Sequence, residues 1–425
     1  MRRCSEMPYH IALELRIYPS FHQKRKVAVN DGAFRAVYNR MTGTDRELHS
    51  LRKVKIYSEP VASRIDYLQT VRSSRKELVN TMPFLSDKDI DRQVVDNAMA
   101  NYRRAWDQFR KVPGTSIPGF HKKSYEQHYQ TNAHYHSEDT CWDDGNVHFV
   151  WKSPNEQVPH YLQLPCLGEI RFRGSLKMIE RVLSHREDTR IGTITIRRNN
   201  CGEYYAILQF SSEEPFTDPL PKTGKSLGID MNLSNLYTDS EGNVVPNPKF
   251  GKGASKSLVR QQRKLSRMAL RAKEESRPLS RSRNYQKQRL RTAKIQRRVL
   301  LAREEYLQVL TKDLVENQDL IVSEDLKVKN LMKNHHLAYS IADASWGKFF
   351  VLLKQKASLY GKDYIRVSPK YTTQTCSQCG YVMTGEEKIL LGVDEWDCPG
   401  CGTHHSRDCN AAKVILSRGL AETAS

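Results

Sequence analysis

Four cysteines in two Cys-x-x-Cys pairs constrain this 425-residue chain more than any other feature. The pairs are Cys376/Cys379 and Cys398/Cys401, and 18 residues separate the inner two cysteines. A glycine follows each pair and permits the positive backbone angle that such turns often need. Four thiolates in a tetrahedral arrangement suit Zn²⁺ and leave no position open for water. The spacing therefore predicts a structural zinc ribbon, with four free cysteines or a redox pair as the alternative.

The neighbouring His404 and His405 are predicted to lie outside this ligand set, as surface or nucleic-acid-facing side chains. The other five cysteines have no metal-ligand spacing, which suits a reducing cytosol better than a disulfide framework. They are Cys4, Cys141, Cys166, Cys201 and Cys409.

The balance of charge favours a polyanionic partner. The chain has 68 Lys and Arg against 48 Asp and Glu, a formal net charge of +20. Nucleic acid is the expected partner, and a generally basic surface is the alternative. No run of about 18 apolar residues is present, and no signal peptide is predicted at the N-terminus.

The N-terminal half is predicted to be a strand, then helices, then short strands. Residues 9–18 alternate as a strand does, and residues 20–112 carry helical periodicity. The helices are placed at 21–42, capped by Ser20, and at 87–111, capped by Ser86 or Asp87. The later strands are placed at 147–151, 161–164, 169–173, 192–197 and 203–210, with a helix at 175–185. This order predicts a small β-barrel whose first strand comes from the N-terminus, followed by a linker at 213–225.

The C-terminal half begins with an apolar strand that ends at Asp230. Between Lys252 and Arg303 the chain has 18 Lys and Arg against two acidic residues, which predicts a basic pair of long helices that contacts phosphate. A solvated, charged helix pair is the alternative. Further elements are predicted as a strand at 320–322, a Lys- and Asn-rich loop at 327–336, a helix at 343–360, a strand at 364–367 and a last helix at 406–418.

Three acidic residues occupy positions that suit catalysis. Asp230 and Glu324 end two apolar strands, and Asp408 lies in the first turn of the last helix. An RNase H-like fold uses acids on two strands and a helix to hold two divalent cations about 3.5–4 Å apart. Carboxylates suit Mg²⁺ or Mn²⁺. Each acid alone could equally be a cap, and Asp239 and Asp325 are the obvious competing candidates.

Several blocks of the sequence resemble the transposon-encoded TnpB (OrfB) family of RNA-guided nucleases, which is related to compact type V CRISPR effectors. The match is specific from 226 to 416 and loose from 45 to 220. The blocks are Leu15–Pro19, Phe34–Asn39, Ile117–Phe120, Leu227–Asp230 (LGID), Ser323–Asn334 (SEDLKVKNLMKN), Ser340–Gly347, Ser368–Gly380, Trp396–Gly402 and Arg407–Ala412 (RDCNAA).

The resemblance implies an α/β multidomain chain with an RNase H-like (RuvC) nuclease domain, an inserted zinc ribbon, and a wedge β-barrel interrupted by a helical recognition domain. The implied limits are 1–19 and 135–222 for the barrel, 20–134 for the helical domain, 223–371 and 405–425 for the nuclease domain, and 372–404 for the ribbon.

The resemblance also implies the site residues. Asp230, Glu324 and Asp408 would hold Mg²⁺ or Mn²⁺, and the four cysteines would hold Zn²⁺. Arg407 and Asn410 would position phosphate or support the Asp408 carboxylate, whereas the basic charge of their segments predicts nucleic-acid contacts at Lys327, Lys329, Arg260, Arg263, Lys264 and Arg267. Gln93, Asp96 and Asn97 on the second helix would help to read a short DNA motif, with an ordinary solvated helix face as the alternative.

The implied function is RNA-guided, metal-dependent cleavage of DNA beside a short motif, with a guide RNA and target DNA as partners. A cytoplasmic, nucleoid-associated prokaryotic protein is expected, as a monomer or a dimer. The alternatives are a compact type V CRISPR effector and an RNA-guided repressor that binds without cutting. Family positions that differ here are Asn232, Ser234 and Ser406, and none of them is a predicted metal ligand.

Overall fold

The computed structural model describes residues 4–54, 58–135, 145–153, 155–184, 189–390 and 392–424. Cys141 lies outside these residues. The chain divides into two compact units, Met1–Phe216 and Thr217–Ser425. Within the described residues, no helix has both the length and the apolar character needed to cross a membrane.

The first unit contains a seven-stranded antiparallel sheet. Its order is β2-β6-β7-β1-β5-β4-β3. The strands are β1 Tyr9–Ile17, β2 Gln127–Asn132, β3 His148–Val150, β4 Tyr161–Leu164, β5 Gly168–Arg173, β6 Thr189–Arg198 and β7 Tyr204–Ser212. Alternate residues of β1 (Leu13, Leu15 and Ile17) enter the core, as the alternation predicts. The described residues show no ladder between β2 and β3, so closure of the sheet into a barrel stays a prediction.

Strand β2 is absent from the sequence prediction because its six residues, QHYQTN, are mostly polar. Its burial nevertheless alternates, since Tyr129 and Thr131 are both buried and their neighbours are not. Tyr129 pairs with Ile196 of β6 in the antiparallel ladder. A two-residue period carried by one aromatic and one threonine is too weak a signal to find from hydrophobicity alone.

The helices of the first unit lie mainly between β1 and β2. They are α1 Phe21–Leu51, α2 Glu59–Ser73, α3 Arg75–Asn80, α4 Gln93–Lys111 and, later in the chain, α5 Leu176–Ser184. Ser20 caps α1 in a capping box with Gln23, as predicted. The predicted start of the second helix at 87 is wrong, because α4 begins at Gln93 and the Asp87 carboxylate instead accepts from the Asp89 backbone N–H in a turn.

The second unit contains a five-stranded sheet in the order β10-β9-β8-β11-β12. Strand β8 pairs antiparallel with β9 and parallel with β11, which pairs parallel with β12. The strands are β8 Ser226–Met231, β9 Tyr237–Asp239, β10 Val244–Val245, β11 Leu320–Glu324 and β12 Asp363–Val367. A separate two-stranded sheet joins β13 Glu395–Asp397 to β14 His404–Ser406.

Two long helices precede β11, as the basic segment predicts, and the last helix follows β14. The helices of this unit are α6 Phe250–Glu274, α7 Arg283–Asn317, α8 Val328–Leu331, α9 His335–Ala344, α10 Trp346–Tyr360 and α11 Arg407–Ala424. The predicted start of the helix at 343 is wrong, because α10 begins at Trp346. Ser345 adopts a left-handed backbone conformation, with φ of 56°, and divides α9 from α10. The predicted loop at 327–336 includes the short helix α8.

Candidate active site and cysteine cluster

Two of the three predicted acids lie on adjacent parallel strands. The β8–β11 pairing ends at Ile229 and Ser323, and Asp230 and Glu324 are the next residue on each strand. Both carboxylates belong to residues that are only 7% exposed. The strand ends thus bring together two acids that lie far apart in sequence.

The third acid, Asp408, comes from the first turn of α11, which packs on β8 and β11. Gly228 of β8 makes this packing possible. A Cβ at Gly228 would lie 2.1 Å from the Ala412 carbonyl oxygen, so any other residue would push the helix away from the strand. The glycine of the LGID block therefore sets the distance between β8 and the helix that carries Asp408.

The three carboxylates interact electrostatically without forming a tight cluster. Burial, followed by the charges of Glu324 and Asp408, raises the pKa of Asp230 well above its usual value. Burial also raises the pKa of Glu324. In the described part of the chain, only the four cysteines form a set of three or more His, Cys, Asp or Glu ligand atoms within 4.8 Å of one another. The acids are thus spread more widely than the ligands of one ion.

Two hydrogen-bond donors orient these acids, and neither role is predictable from a local sequence pattern. The Thr372 hydroxyl donates to Glu324 Oε1 at 2.5 Å. The Asn232 amide nitrogen lies 3.2 Å from both Asp408 Oδ2 and Thr238 Oγ1. A polar residue two positions after Asp230 was the only signal in the sequence, and it stood out as a difference from the family pattern.

The four cysteines converge as their spacing predicts. The Sγ atoms of Cys376 and Cys401 are 3.8 Å apart, and those of Cys379 and Cys398 are 3.7 Å apart. The set fits a zinc ribbon in its ligand type and number.

The two Cys-x-x-Cys turns also share one backbone geometry. The first cysteine of each turn accepts a backbone bond from the glycine four residues later, Gly380 at 3.0 Å and Gly402 at 2.8 Å. Both glycines have positive φ, 76° and 67°, as predicted. The repeated turn presents the sulfurs of each pair in the same way.

The predicted surface position of His405 is wrong because this residue is buried, whereas His404 is exposed as expected. His405 is 8% exposed, and its Nε2 lies 3.1 Å from Cys376 Sγ. Burial lowers the pKa of His405, which favours the neutral ring, and a zinc-bound thiolate at Cys376 would accept a hydrogen bond from Nε2–H. The aromatic ring of Trp396 covers the other side of this imidazole, with ring centroids 4.7 Å apart.

The nucleic-acid role predicted for Asn410 is also wrong. Asn410 is 1% exposed, and its amide bonds the ribbon backbone at both ends. Nδ2 donates to the Thr375 carbonyl at 2.7 Å, and Oδ1 accepts from Ser377 N at 2.8 Å. Asn410 therefore ties α11 to the first cysteine turn. Arg407 keeps a partly exposed guanidinium 3.7 Å from Asp408 Oδ1.

The remaining predicted nucleic-acid contacts are exposed. Lys327 and Lys329 lie on the surface after β11, although Lys327 is ion-paired with Asp325. The four predicted residues of α6 are also exposed: Arg260, Arg263, Lys264 and Arg267.

The residues expected to read a DNA motif on α4 have partners within the chain. Asn97 is only 6% exposed and donates to the Gln93 and Gln130 carbonyls. Asp96 pairs with Arg75 at 2.9 Å, and Gln93 accepts from Asn132.

Comparison with known proteins finds similarity to two family models and to relatives of nearly full length. Residues 209–335 match the OrfB_IS605 family model, described as "Probable transposase", and residues 346–415 match the Cas12f1-like TNB domain. The chain is 26% identical over 421 residues to a protein of Streptomyces pristinaespiralis named "Putative RNA-guided DNA endonuclease", covering 97% of this chain and 90% of the relative. It is also 26% identical over 426 residues to InsQ of Escherichia coli K12, which has the same description, covering 96% and 92%.

Among solved structures, a Cas12f1–sgRNA–target DNA complex aligns with a TM-score of 0.46 and 13% identity, covering 96% of this chain and 98% of that one. Similarity at this level is too low to establish a shared fold. The two matched family models and the relatives of nearly full length make this chain similar to the TnpB (OrfB) family.

Proposed function

We propose that this protein is an RNA-guided, divalent-metal-dependent DNA endonuclease that cuts target DNA beside a short motif. The observation that carries the proposal is that two parallel strands and one helix place Asp230, Glu324 and Asp408 close enough to interact electrostatically. Relatives of nearly full length described as RNA-guided DNA endonucleases support it.

The second unit supports an RNase H-like (RuvC) nuclease domain. Its sheet combines an antiparallel β8–β9–β10 portion with parallel strands β11 and β12, and α11 packs on the central strands. The domain would be interrupted at 372–404 by the cysteine-containing ribbon. The seven-stranded sheet and the helices between β1 and β2 would be the wedge and recognition domains, with predicted limits at 1–19, 20–134 and 135–222.

The three acids fit hard divalent cations, Mg²⁺ or Mn²⁺, by the chemistry of their donor atoms. Burial, and after it the charges of Glu324 and Asp408, raise the pKa of Asp230, so a bound cation would offset a repulsion that is already present in the site. Such ions, held by these acids, would supply a lowered pKa of the attacking water and stabilisation of the leaving oxygen of the phosphodiester.

The chain's own residues would orient the reacting groups. Thr372 and Asn232 each hold one oxygen of a carboxylate by a hydrogen bond and leave the other oxygen for a ligand. Arg407 sits beside Asp408 with its guanidinium partly exposed, where it would hold a phosphate oxygen of the target strand.

A basic stripe on α6 would hold the nucleic-acid backbone. It follows helical spacing over about 22 Å and lies opposite the half-buried residues of the helix, which include Leu258, Leu265 and Ala269. None of its side chains has an acidic partner in the described ranges. The stripe comprises Lys256, Arg260, Arg263, Arg267 and Arg271, with Lys264 beside it. Guide RNA and target DNA are the proposed occupants.

The experiment is cleavage of a plasmid that carries a guide match and the adjacent motif, using protein purified with its copurifying RNA. The parent should cut in Mg²⁺ or Mn²⁺, and Asp230→Ala should abolish cutting. Asp325→Ala is the matched control, because this acid follows Glu324 directly but pairs with Lys327 and Arg366 at the surface.

The binding-only alternative predicts that the parent binds the target and leaves it uncut in either metal. Equal cutting by Asp230→Ala and the parent would refute the assigned carboxylates. Sequencing of the copurified RNA separates a transposon-derived guide from a guide that contains CRISPR repeats.

A further inference from the structure

The segment that enters the ribbon connects the cysteine cluster to the acidic site. Thr372 is 2% exposed and donates to Glu324 Oε1 at 2.5 Å. A hydroxyl has one proton, so its 3.2 Å contact with the Pro369 carbonyl is secondary to this shorter bond. The carboxylate of Glu324 is therefore held by a residue that belongs to the ribbon segment and not to the sheet.

The other end of this short segment is fixed by the cysteine cluster and the last helix. Thr375 and Ser377, on either side of Cys376, bond the two ends of the Asn410 amide. Cys376 is 1% exposed, and its Sγ lies 3.1 Å from Nε2 of the buried His405. Residues 372–377 are thus anchored at Glu324, at the sulfur cluster and at the helix that carries Asp408.

We propose that Thr372 is a positioning residue for the Glu324 carboxylate, and that the zinc-folded first cysteine turn holds Thr372 in place. Occupancy of the cysteine cluster and cation affinity of the carboxylate site are then coupled. The inference rests on the proposed metal site, and it assigns the ribbon a role in building that site.

The physical reason is the geometry of the segment. Four residues separate Thr372 from Ser377; Thr372 is buried, Ser377 is half-buried, and both are hydrogen-bonded. Without zinc, four thiols at this spacing lose the interaction that closes both turns. The turn at Cys376 then relaxes, and Thr372 loses the fixed backbone that aims its hydroxyl at Glu324.

The test measures Mn²⁺ binding to the full chain without nucleic acid, from the free Mn²⁺ signal in electron paramagnetic resonance. Thr372→Val keeps the shape and removes the hydroxyl, whereas Thr372→Ser keeps the hydroxyl. Thr372→Val should bind Mn²⁺ about tenfold more weakly, and Thr372→Ser should bind like the parent. Both variants should retain the parent zinc content, which excludes loss of the ribbon as the cause.

A second arm tests the coupling by chelating zinc from the parent and from Thr372→Val. Zinc removal should weaken Mn²⁺ binding in the parent and have a smaller effect in Thr372→Val, because the link is already cut. Equal Mn²⁺ affinity of the parent and Thr372→Val, or equal effects of zinc removal in the two proteins, would overturn the inference and leave the nuclease proposal intact. Failure of the parent to bind Mn²⁺ would instead refute the proposed metal site, and the inference with it.

Discussion

The side-chain amide of Asn232 donates to Asp408 Oδ2 at 3.2 Å, across 176 residues of sequence. The same amide contacts Thr238 Oγ1, and its oxygen accepts from the Asn235 backbone N–H at 2.8 Å. Asn232 is therefore held on the β8–β9 connection with one donor aimed at the acid on α11. A position that differs from the family pattern thus contributes a contact to the predicted catalytic site.

Asn232→Ala should slow DNA cleavage by about tenfold, because Asp408 loses the donor that fixes one of its oxygens. The rate should be measured at saturating target DNA, so that binding does not limit it. Asn243→Ala is the control. Asn243 lies in the turn between β9 and β10, where its side-chain amide donates to Asp239 Oδ2, and it does not contact the three acids. Equal losses in the two variants would mean that the hairpin as a whole, and not the bond to Asp408, matters.

His405→Ala should lower zinc affinity by about tenfold or more, because a buried N–H donor to Cys376 Sγ is removed. Competition with a chromophoric chelator measures this affinity. His404→Ala is the matched control, because His404 is exposed and bonds Asp397 instead. The assignment of His405 as a hydrogen-bond donor to the cluster requires that only the first variant loses zinc.

The ligands could be predicted from the sequence better than the groups that orient them. The cysteines and the three acids lie at turns and element ends, where their spacing or the apolar residues beside them make them recognisable. Thr372 and Asn232 act through hydrogen bonds that form only after folding, across 48 and 176 residues. No local pattern distinguishes such a threonine or asparagine from a turn residue.

Burial explains why the predictions for His405 and Asn410 are wrong. Both residues flank an acid in a polar stretch, and such a stretch usually indicates surface. In the structure, β14 turns His405 inward against Trp396, and the close packing of α11 buries Asn410 beneath the first cysteine turn. Both are therefore structural links of the ribbon.

Binding of nucleic acid should depend steeply on salt through the α6 stripe. Replacing Arg260 and Arg267 together by Gln should reduce the slope of log K against log salt by roughly 0.9 for each phosphate that the variant no longer neutralises. Replacing Arg260 and Arg267 together by Lys keeps both positive charges and should retain the parent slope. An unchanged slope in the Gln variant would show that nucleic acid does not lie along this helix face.

Asp230→Asn should stabilise the protein in the absence of divalent cations. The folded-state pKa of Asp230 lies well above its usual value, so the folded state binds more protons than the unfolded state above about pH 3.8. Stability contributed by this group is therefore lost as pH rises from that value toward the folded pKa, and a neutral side chain avoids the loss.

Thermal unfolding in a chelating buffer for divalent cations measures this effect. We expect Asp230→Asn to raise Tm by a few degrees at pH 8, given roughly 2–4 °C per kcal/mol for a unit of this size, and to have no effect near pH 4. Asp325→Asn should not raise Tm, because the hydrogen bond from Lys327, together with the Arg366 charge, lowers the pKa of Asp325. Stabilisation by both variants would point to overall charge as the cause.

Asp343→Ala should destabilise the basic helix pair where α6 begins and contacts Arg303 of α7. Asp343 is 6% exposed and lies in α9, where its carboxylate accepts from the Gly251 and Lys252 backbone N–H groups at 2.7 and 3.0 Å and pairs with Arg303 of α7 at 2.6 Å. One side chain thus caps α6 and neutralises a largely buried arginine. Its loss should cost about 3 kcal/mol, at the low end for a broken buried pair because Arg303 is partly exposed.

Urea unfolding of the full chain measures this loss. Two further variants separate the contribution of the buried ion pair from that of the cap on α6. Glu304→Ala removes an ion pair with Lys348 that is exposed on both sides and should cost under about 1 kcal/mol. Gly251→Ala should act like Asp343→Ala, because a Cβ there would lie 2.7 Å from Asp343 Oδ1 and displace the carboxylate from the helix start. If Gly251→Ala is neutral while Asp343→Ala is costly, the pair with Arg303 accounts for the stability and the cap on α6 does not.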